Sequence, residues 1–321
     1  MSKCSIVIRC YNEGLHIGKL LKGISEQRFA DYEIIIVDSG STDDTLAIAS
    51  QYPVKLVSIK PSEFTFGRSL NLGCKAATGE YIVIVSAHVY PLYHDWLGNL
   101  IAPFEDPKVA LTYGRQQGNE TTKYSEHQVF AKWFPQFSNF NQDYPFCNNA
   151  NAAVRRSLWE RIPYDETLTG LEDLEWGKQA QKLGHKLAYV ADAPIVHVHD
   201  ETPARICNRY RREAIALKRI FPEERFSFID FVRLLTGNVV SDYYHAWHDG
   251  ILHKKASEII MFRLMQFWGT YRGYGDLENN QLREKFYYPN GLKRSRSNVH
   301  AKRAYAIDYA SLKEKQLEQN Y

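Results

Sequence analysis

The chain has 321 residues, 44% hydrophobic and 24% charged, which excludes a disordered protein and allows one large domain with an appendage or two modest ones. Its net charge of +3 is too small to point to nucleic acid, and no apolar run reaches the roughly 18 residues of a membrane span. The charge is uneven: residues 1–200 hold 19 Lys/Arg against 23 Asp/Glu, and residues 201–321 hold 21 against 14. A basic C-terminal third suits either an anionic partner, diphosphate or lipid, or a plain solvated surface. Five widely spaced cysteines with no Cys-x-x-Cys pair read as reduced thiols in a cytoplasmic setting. The N-terminus enters a strand-like run directly, so no signal peptide is expected.

In chain order, Ser5–Ile8 is a short apolar strand, and Leu15, Ile17, Leu20, Leu21 and Ile24 then recur at helical spacing. Glu33–Val37 is a second strand, followed by the polar Asp38-Ser39-Gly40-Ser41-Thr42-Asp43-Asp44-Thr45 and a helix through Leu46, Ile48 and Ala49. Ser41 or Thr42 is suited to cap that helix. Val54–Ile59 is a third strand, Leu70–Ala77 a helix closed by Gly79, and Tyr81–Val85 a fourth strand. Val/Ile runs alternating with helices predict a mostly parallel α/β sheet covered on both faces, with ligands at the carboxyl ends of the strands. The residues following the runs are Tyr11-Asn12-Glu13, Asp38-Ser39-Gly40 and Ser86-Ala87-His88.

Further on, Asn148, Asn149 and Asn151 sit among small alanines, a composition suited to sugar hydroxyls or simply to a capped helix start. Glu172 and Asp173 open a helix ending at Gly184; acids there complement the helix dipole, and a carboxylate at an open end can also serve as a general base. "PIVHVHD" (194–200) reads as a strand whose period of two puts His197 and His199 on one face, able to ligate a metal or meet diphosphate oxygens. After about Asp200 the chain becomes helical: a basic amphipathic stretch with Arg209, Arg211 and Arg212, two aromatic-rich apolar stretches, and a basic run at 292–303. The apolar stripes suit packing on the body of the protein, docking on a membrane surface, or a homodimer interface.

Six stretches in order, "SIVIRCYNEG", "EIIIVDSGSTDDT", "FGRSLNLGCKAATGEYIVIVSAH", "NNANAAVRRSLWERIPYDE", "GLEDLEW" and "VHVHDET", resemble the family-2 inverting glycosyltransferases. The stretch "SEFTFGRSLNLG" is most similar to bacterial rhamnosyltransferase-type members that build surface polysaccharides. The resemblance implies a GT-A catalytic domain over 1–215 and a mainly helical C-terminal region over 216–321. It implies a nucleotide-sugar donor, a glycan or lipid-linked acceptor, and a cytoplasmic location with peripheral contact at the inner membrane. Tyr11, Glu13, Asp38 and Arg68 would meet the donor, with Ser86, Ala87 and His88 beside the diphosphate. Asn149, Asn151 and Trp176 would face the sugar and acceptor, and Arg209 and Arg212 the diphosphate. Asp173, with Glu172 next to it, would be the catalytic base. The family normally carries Asp-x-Asp where this chain has Ser86-Ala87-His88. A Mn²⁺ or Mg²⁺ ion is then either held through His88, His197 and His199, or replaced by cationic side chains. The competing expectations are a catalytically silent GT-A domain that binds nucleotide or glycan, and a nucleotidyltransferase. For the latter, "IRCYNEGLHIG" lacks the Gly-rich, Arg/Lys-bearing loop.

Overall fold

A computed structural model describes residues 2–275 and 306–309. The basic run at 292–303 lies outside them. The strands are β1 (Cys4–Cys10), β2 (Tyr32–Asp38), β3 (Val54–Ser58), β4 (Tyr81–Ser86), β5 (Val89–Pro91), β6 (Val109–Gln117), β7 (Asn151–Arg155) and β8 (Lys186–His197). The helices are α1 (Ile17–Ser25), α2 (Thr45–Ala49), α3 (Phe66–Ala76), α4 (Trp96–Ile101), α5 (Tyr124–Trp133), α6 (Arg156–Trp159), α7 (Glu172–Lys182), α8 (Pro203–Ile220), α9 (Phe228–His248) and α10 (Leu252–Tyr274).

One sheet, ordered β3-β2-β1-β4-β7-β6-β8-β5, organises the body. The expected parallel arrangement holds for β3, β2, β1 and β4. The far half is mixed: β7 is antiparallel to β4 and β6, and β5 is antiparallel to β8. Successive side chains point to opposite faces, so Ile6 and Ile8 join the core under α1 while Val7 joins Leu70 and Cys74 of α3. Burial of both faces is why these strands read as unbroken apolar runs. The Asn-rich stretch, with its alternative as a capped helix start, instead leads into strand β7.

The helical layer α8–α10 packs on α5 and on itself. Gly269 and Gly273 set its closest approach. A methyl at Gly269 would sit 2.3 Å from the Cys207 carbonyl oxygen, and one at Gly273 would sit 2.5 Å from that of Arg211. Arg263 of α10 is buried with Asp242 of α9 (Nε–Oδ2 2.7 Å) and also donates to the Ser125 carbonyl of α5. The expected division at residue 215 falls inside α8, one continuous helix. No helix among the described residues is long and apolar enough to cross a membrane.

Candidate active site

The carboxyl ends of β1, β2 and β4 bring Tyr11, Asp38 and Ser86 to one edge of the sheet. Because β7 runs the other way, its first residue, Asn151, pairs with Val85 at that same edge. The start of α7 is tied there too, since the Asn149 backbone N–H donates to Asp173 Oδ2 at 2.8 Å. The short β5 pairs with β8 so that Val89 faces His197, and the Val198 N–H donates to the His88 carbonyl. The ladder thus delivers His88 from one connection and His197 and His199 from another to a single point. Strand β8 ends at His197, so the expected shared strand face does not extend to His199; the two rings nevertheless lie 4.0 Å apart.

Non-glycine positive φ angles among the described residues occur at Asn12 (54°) and Leu171 (56°). Such backbone is costly and persists where its surroundings enforce it. Asn12 turns the chain after β1 and accepts the Thr42 N–H through Oδ1, joining the loops after β1 and β2. Leu171 immediately precedes Glu172 and Asp173 and forces α7 to begin there. The cap of α2 is Asp44; Ser41 and Thr42 bond Asn12 instead.

Asp173 is buried and lines a cavity with His197, His199, Arg209, Tyr210 and Glu213. Burial, then the charge of Glu172, pushes its carboxyl up to about 7, against the N–H groups of Asn149 and Leu174 and the charge of Arg9. A carboxylate poised there can take a proton from a hydroxyl near neutral pH. Burial, the other imidazoles and Arg209 hold His197 well below the ordinary histidine range, and burial, Arg209 and His88 do so for His199.

Each of the three imidazoles leans on an acceptor through Nδ1: His88 on Glu13 (2.8 Å), His197 on Gln116 (2.8 Å) and His199 on Glu126 (2.7 Å). Each offers a ring nitrogen, the three lying within 4.8 Å of one another. His197 Nε2 is buried without a hydrogen-bond partner. An orphaned nitrogen lone pair facing two more imidazoles fits a divalent ion. Glu126, His199 and Glu201 form a second grouping, but Arg209 already bridges the two carboxylates.

Several expected site residues are engaged otherwise. Asn151 is fully buried, accepts from Trp96 Nε1 and donates to Ala193, so it serves the fold and not a sugar. Trp176 is a core residue whose indole N–H donates to the Ile162 carbonyl, which removes it from acceptor contact. Arg209 is committed to Glu126 and Glu201 rather than offered to a diphosphate. Glu172 pairs with Arg9 at 3.1 Å, and Ala87 is buried. Arg68 pairs with Glu63 and Glu166. Asp38 is buried and accepts the Gly40 and Ser41 N–H groups, Tyr11 is exposed, and Ser86 is half-buried. Arg212 stacks on Phe66 at 4.4 Å, beside Arg9. Asn149 is buried with both side-chain polar atoms unpartnered. Sequence reasoning passed over Arg9, Gln116 and Glu126. Gln116 lies at the carboxyl end of β6, as Asp38 does at the end of β2, a position that the strand-end rule would have singled out.

Residues 5–162 match the protein family described as glycosyl transferase family 2. The protein is a family-2 glycosyltransferase. This glycosyltransferase is 27% identical over 221 residues to the O-antigen chain rhamnosyltransferase RfbN of Salmonella typhimurium, covering 65% of this chain and 70% of that protein. It is 28% identical over 222 residues to the O-antigen chain rhamnosyltransferase WbaN of Salmonella anatum, with the same coverages. Its fold matches the mannosyltransferase PcManGT of Pyrobaculum calidifontis, solved with GDP-Man and Mn²⁺, at a TM-score of 0.55 and 20% identity over 85% of this chain and 84% of that one. TarS residues 1–349 of S. aureus match at 0.53 and 17%, over 84% and 91%. The fold of the glycosyltransferase is therefore GT-A, with helices added at its C-terminal side.

Proposed function

We propose that this glycosyltransferase moves a sugar from a nucleotide-sugar donor to a hydroxyl of a glycan or lipid-linked acceptor in surface-polysaccharide synthesis, with inversion and with Asp173 as general base. The observation that carries this is the Asp173 carboxyl: buried, raised to about 7, and in the wall of a cavity shared with His197 and His199. The acceptor oxygen attacks the anomeric carbon as its proton passes to Asp173; the bond to the diphosphate oxygen breaks, and the nucleoside diphosphate leaves with the electron pair. The two N–H groups on the carboxylate aim it, and Leu171 fixes where α7 starts.

The donor nucleoside lies over the ends of β1 and β2, near Tyr11, Glu13 and Asp38, and the diphosphate lies toward His88. Arg212, over the Phe66 ring, is the cation favoured for the diphosphate, since Arg209 is already paired. His88, His197 and His199 would hold a divalent ion, which would supply positive charge to the departing diphosphate. The relatives' role in O-antigen chains supports the surface-polysaccharide assignment. Exposed Ile229, Val240 and Trp247 on α9 support peripheral contact with a membrane that carries the acceptor.

The test is release of nucleoside diphosphate from a panel of nucleotide sugars, with a lipid-linked or glycan acceptor. The wild type should turn over at least one donor, and Asp173→Asn should lose about a hundredfold or more. Equal rates for both proteins would overturn the assignment of the base.

A further inference from the structure

The imidazole cluster has a chemistry of its own, and its consequence rests on the transfer reading only for its use. An amide oxygen can only accept, so Gln116 Oε1 fixes the His197 proton on Nδ1 and leaves Nε2 as a bare lone pair. The carboxylates of Glu13 and Glu126 do the same for His88 and His199. All three rings are thus held in the tautomer and orientation that metal-binding histidines take from their outer partners. The backbone ladder between β5 and β8 holds their spacing, and His197 Nε2 has no partner.

We propose that His88, His197 and His199 form a nitrogen-only divalent-cation site that selects borderline transition-metal ions, such as Co²⁺ and Zn²⁺, and rejects Mg²⁺. Mg²⁺ demands oxygen ligands in near-ideal octahedral geometry and gives up water reluctantly. Imidazole suits zinc, iron, nickel and copper, with Mn²⁺ weakest in the first-row order. The ligands themselves bring no negative charge; Glu13 and Glu126 sit one bond behind them, and Glu126 is partly offset by Arg209. A hard cation therefore finds three nitrogens here, while the nearby carboxylate oxygens are already engaged, Glu13 by His88 and Glu126 and Glu201 by Arg209.

The experiment uses the full chain, stripped with a chelator and dialysed, without nucleotide. Binding of Co²⁺, Zn²⁺, Mn²⁺ and Mg²⁺ is measured by equilibrium dialysis, and Co²⁺ also by its visible absorption. One Co²⁺ per chain should bind, with nitrogen-ligand absorption and at least about a hundredfold tighter than Mg²⁺. His88→Ala, at a half-buried position, should abolish it while the circular dichroism spectrum is kept; His197→Gln should do the same. Mg²⁺ binding as tight as Co²⁺, absence of Co²⁺ binding, or Co²⁺ binding that survives His88→Ala would each overturn the proposal. Asp173→Asn should still bind Co²⁺. Cobalt bound without any sugar turnover would sink the transfer reading alone; turnover dependent on Asp173 with no ion selectivity would sink this one alone.

Discussion

Replacing Asp173 with Asn should change stability in a pH-dependent way. The folded protein holds the Asp173 proton up to about pH 7, whereas the ordinary value is 3.8. A raised acid binds its proton more tightly when folded, so its contribution is full at low pH and declines as pH rises through the folded value. Between about pH 5 and about pH 8.5 the wild type crosses roughly two units of that window, a loss of about 3 kcal/mol at 1.4 kcal/mol per unit. Asn carries no such charge, and its contribution stays flat. It does lose one of the two bonds from the Asn149 and Leu174 N–H groups, a fixed cost of about 1–2 kcal/mol. Asp173→Asn should therefore match or trail the wild type near about pH 5 and overtake it near about pH 8.5, by about 1–2 kcal/mol or a few degrees in melting temperature. Paired denaturant melts at the two pH values measure the gap, and all other titrating groups are common to both proteins. A gap that stays constant to within about 0.5 kcal/mol would refute the buried, raised carboxylate and the chemistry built on it.

Arg9 lowers the Asp173 value and pairs Glu172, so Arg9→Met should move the rising limb of the pH–rate profile upward from about 7. Gly269→Ala puts a methyl against the Cys207 carbonyl and should cost about 2 kcal/mol in a thermal melt. Arg263→Leu strands the buried Asp242 and should cost about 3–5 kcal/mol, most of it recovered in the Arg263→Met/Asp242→Leu double variant. A nucleoside diphosphate present at about 100 times its dissociation constant should stabilise the fold by about 3 kcal/mol, read by thermal shift.

The parallel half of the sheet was legible because β1, β2 and β4 each centre on a short Val/Ile run followed by polar residues, and Leu171-Glu172-Asp173 falls where a helix was expected to begin. The antiparallel half was not. The pairing of β7 with β4 and of β5 with β8 joins residues about seventy and a hundred positions apart, and no local period encodes it. That hidden pairing is why Asn151 reads as a sugar ligand and proves to be bonded inside the fold, and why Glu126, in an unremarkable helix start, ends up behind His199. Trp176, about one turn of α7 past the key carboxylate, is claimed by the core, with its indole N–H on the Ile162 carbonyl.

Helix α8 passes through residue 215 without a break, carries Arg209 to the cluster, and covers Ile206 and Tyr210 with Phe262 of α10. A shortened version ending at that residue would sever α8 one turn from its end and strip the lid from its buried side. Glu126 would face its imidazole without the Ser125–Arg263 tether that steadies α5. Anyone seeking a minimal active fragment should accordingly keep α8–α10 whole, and with them residues 306–309, where the Ile307 N–H donates to the Leu92 carbonyl and the Tyr309 hydroxyl to that of Pro91.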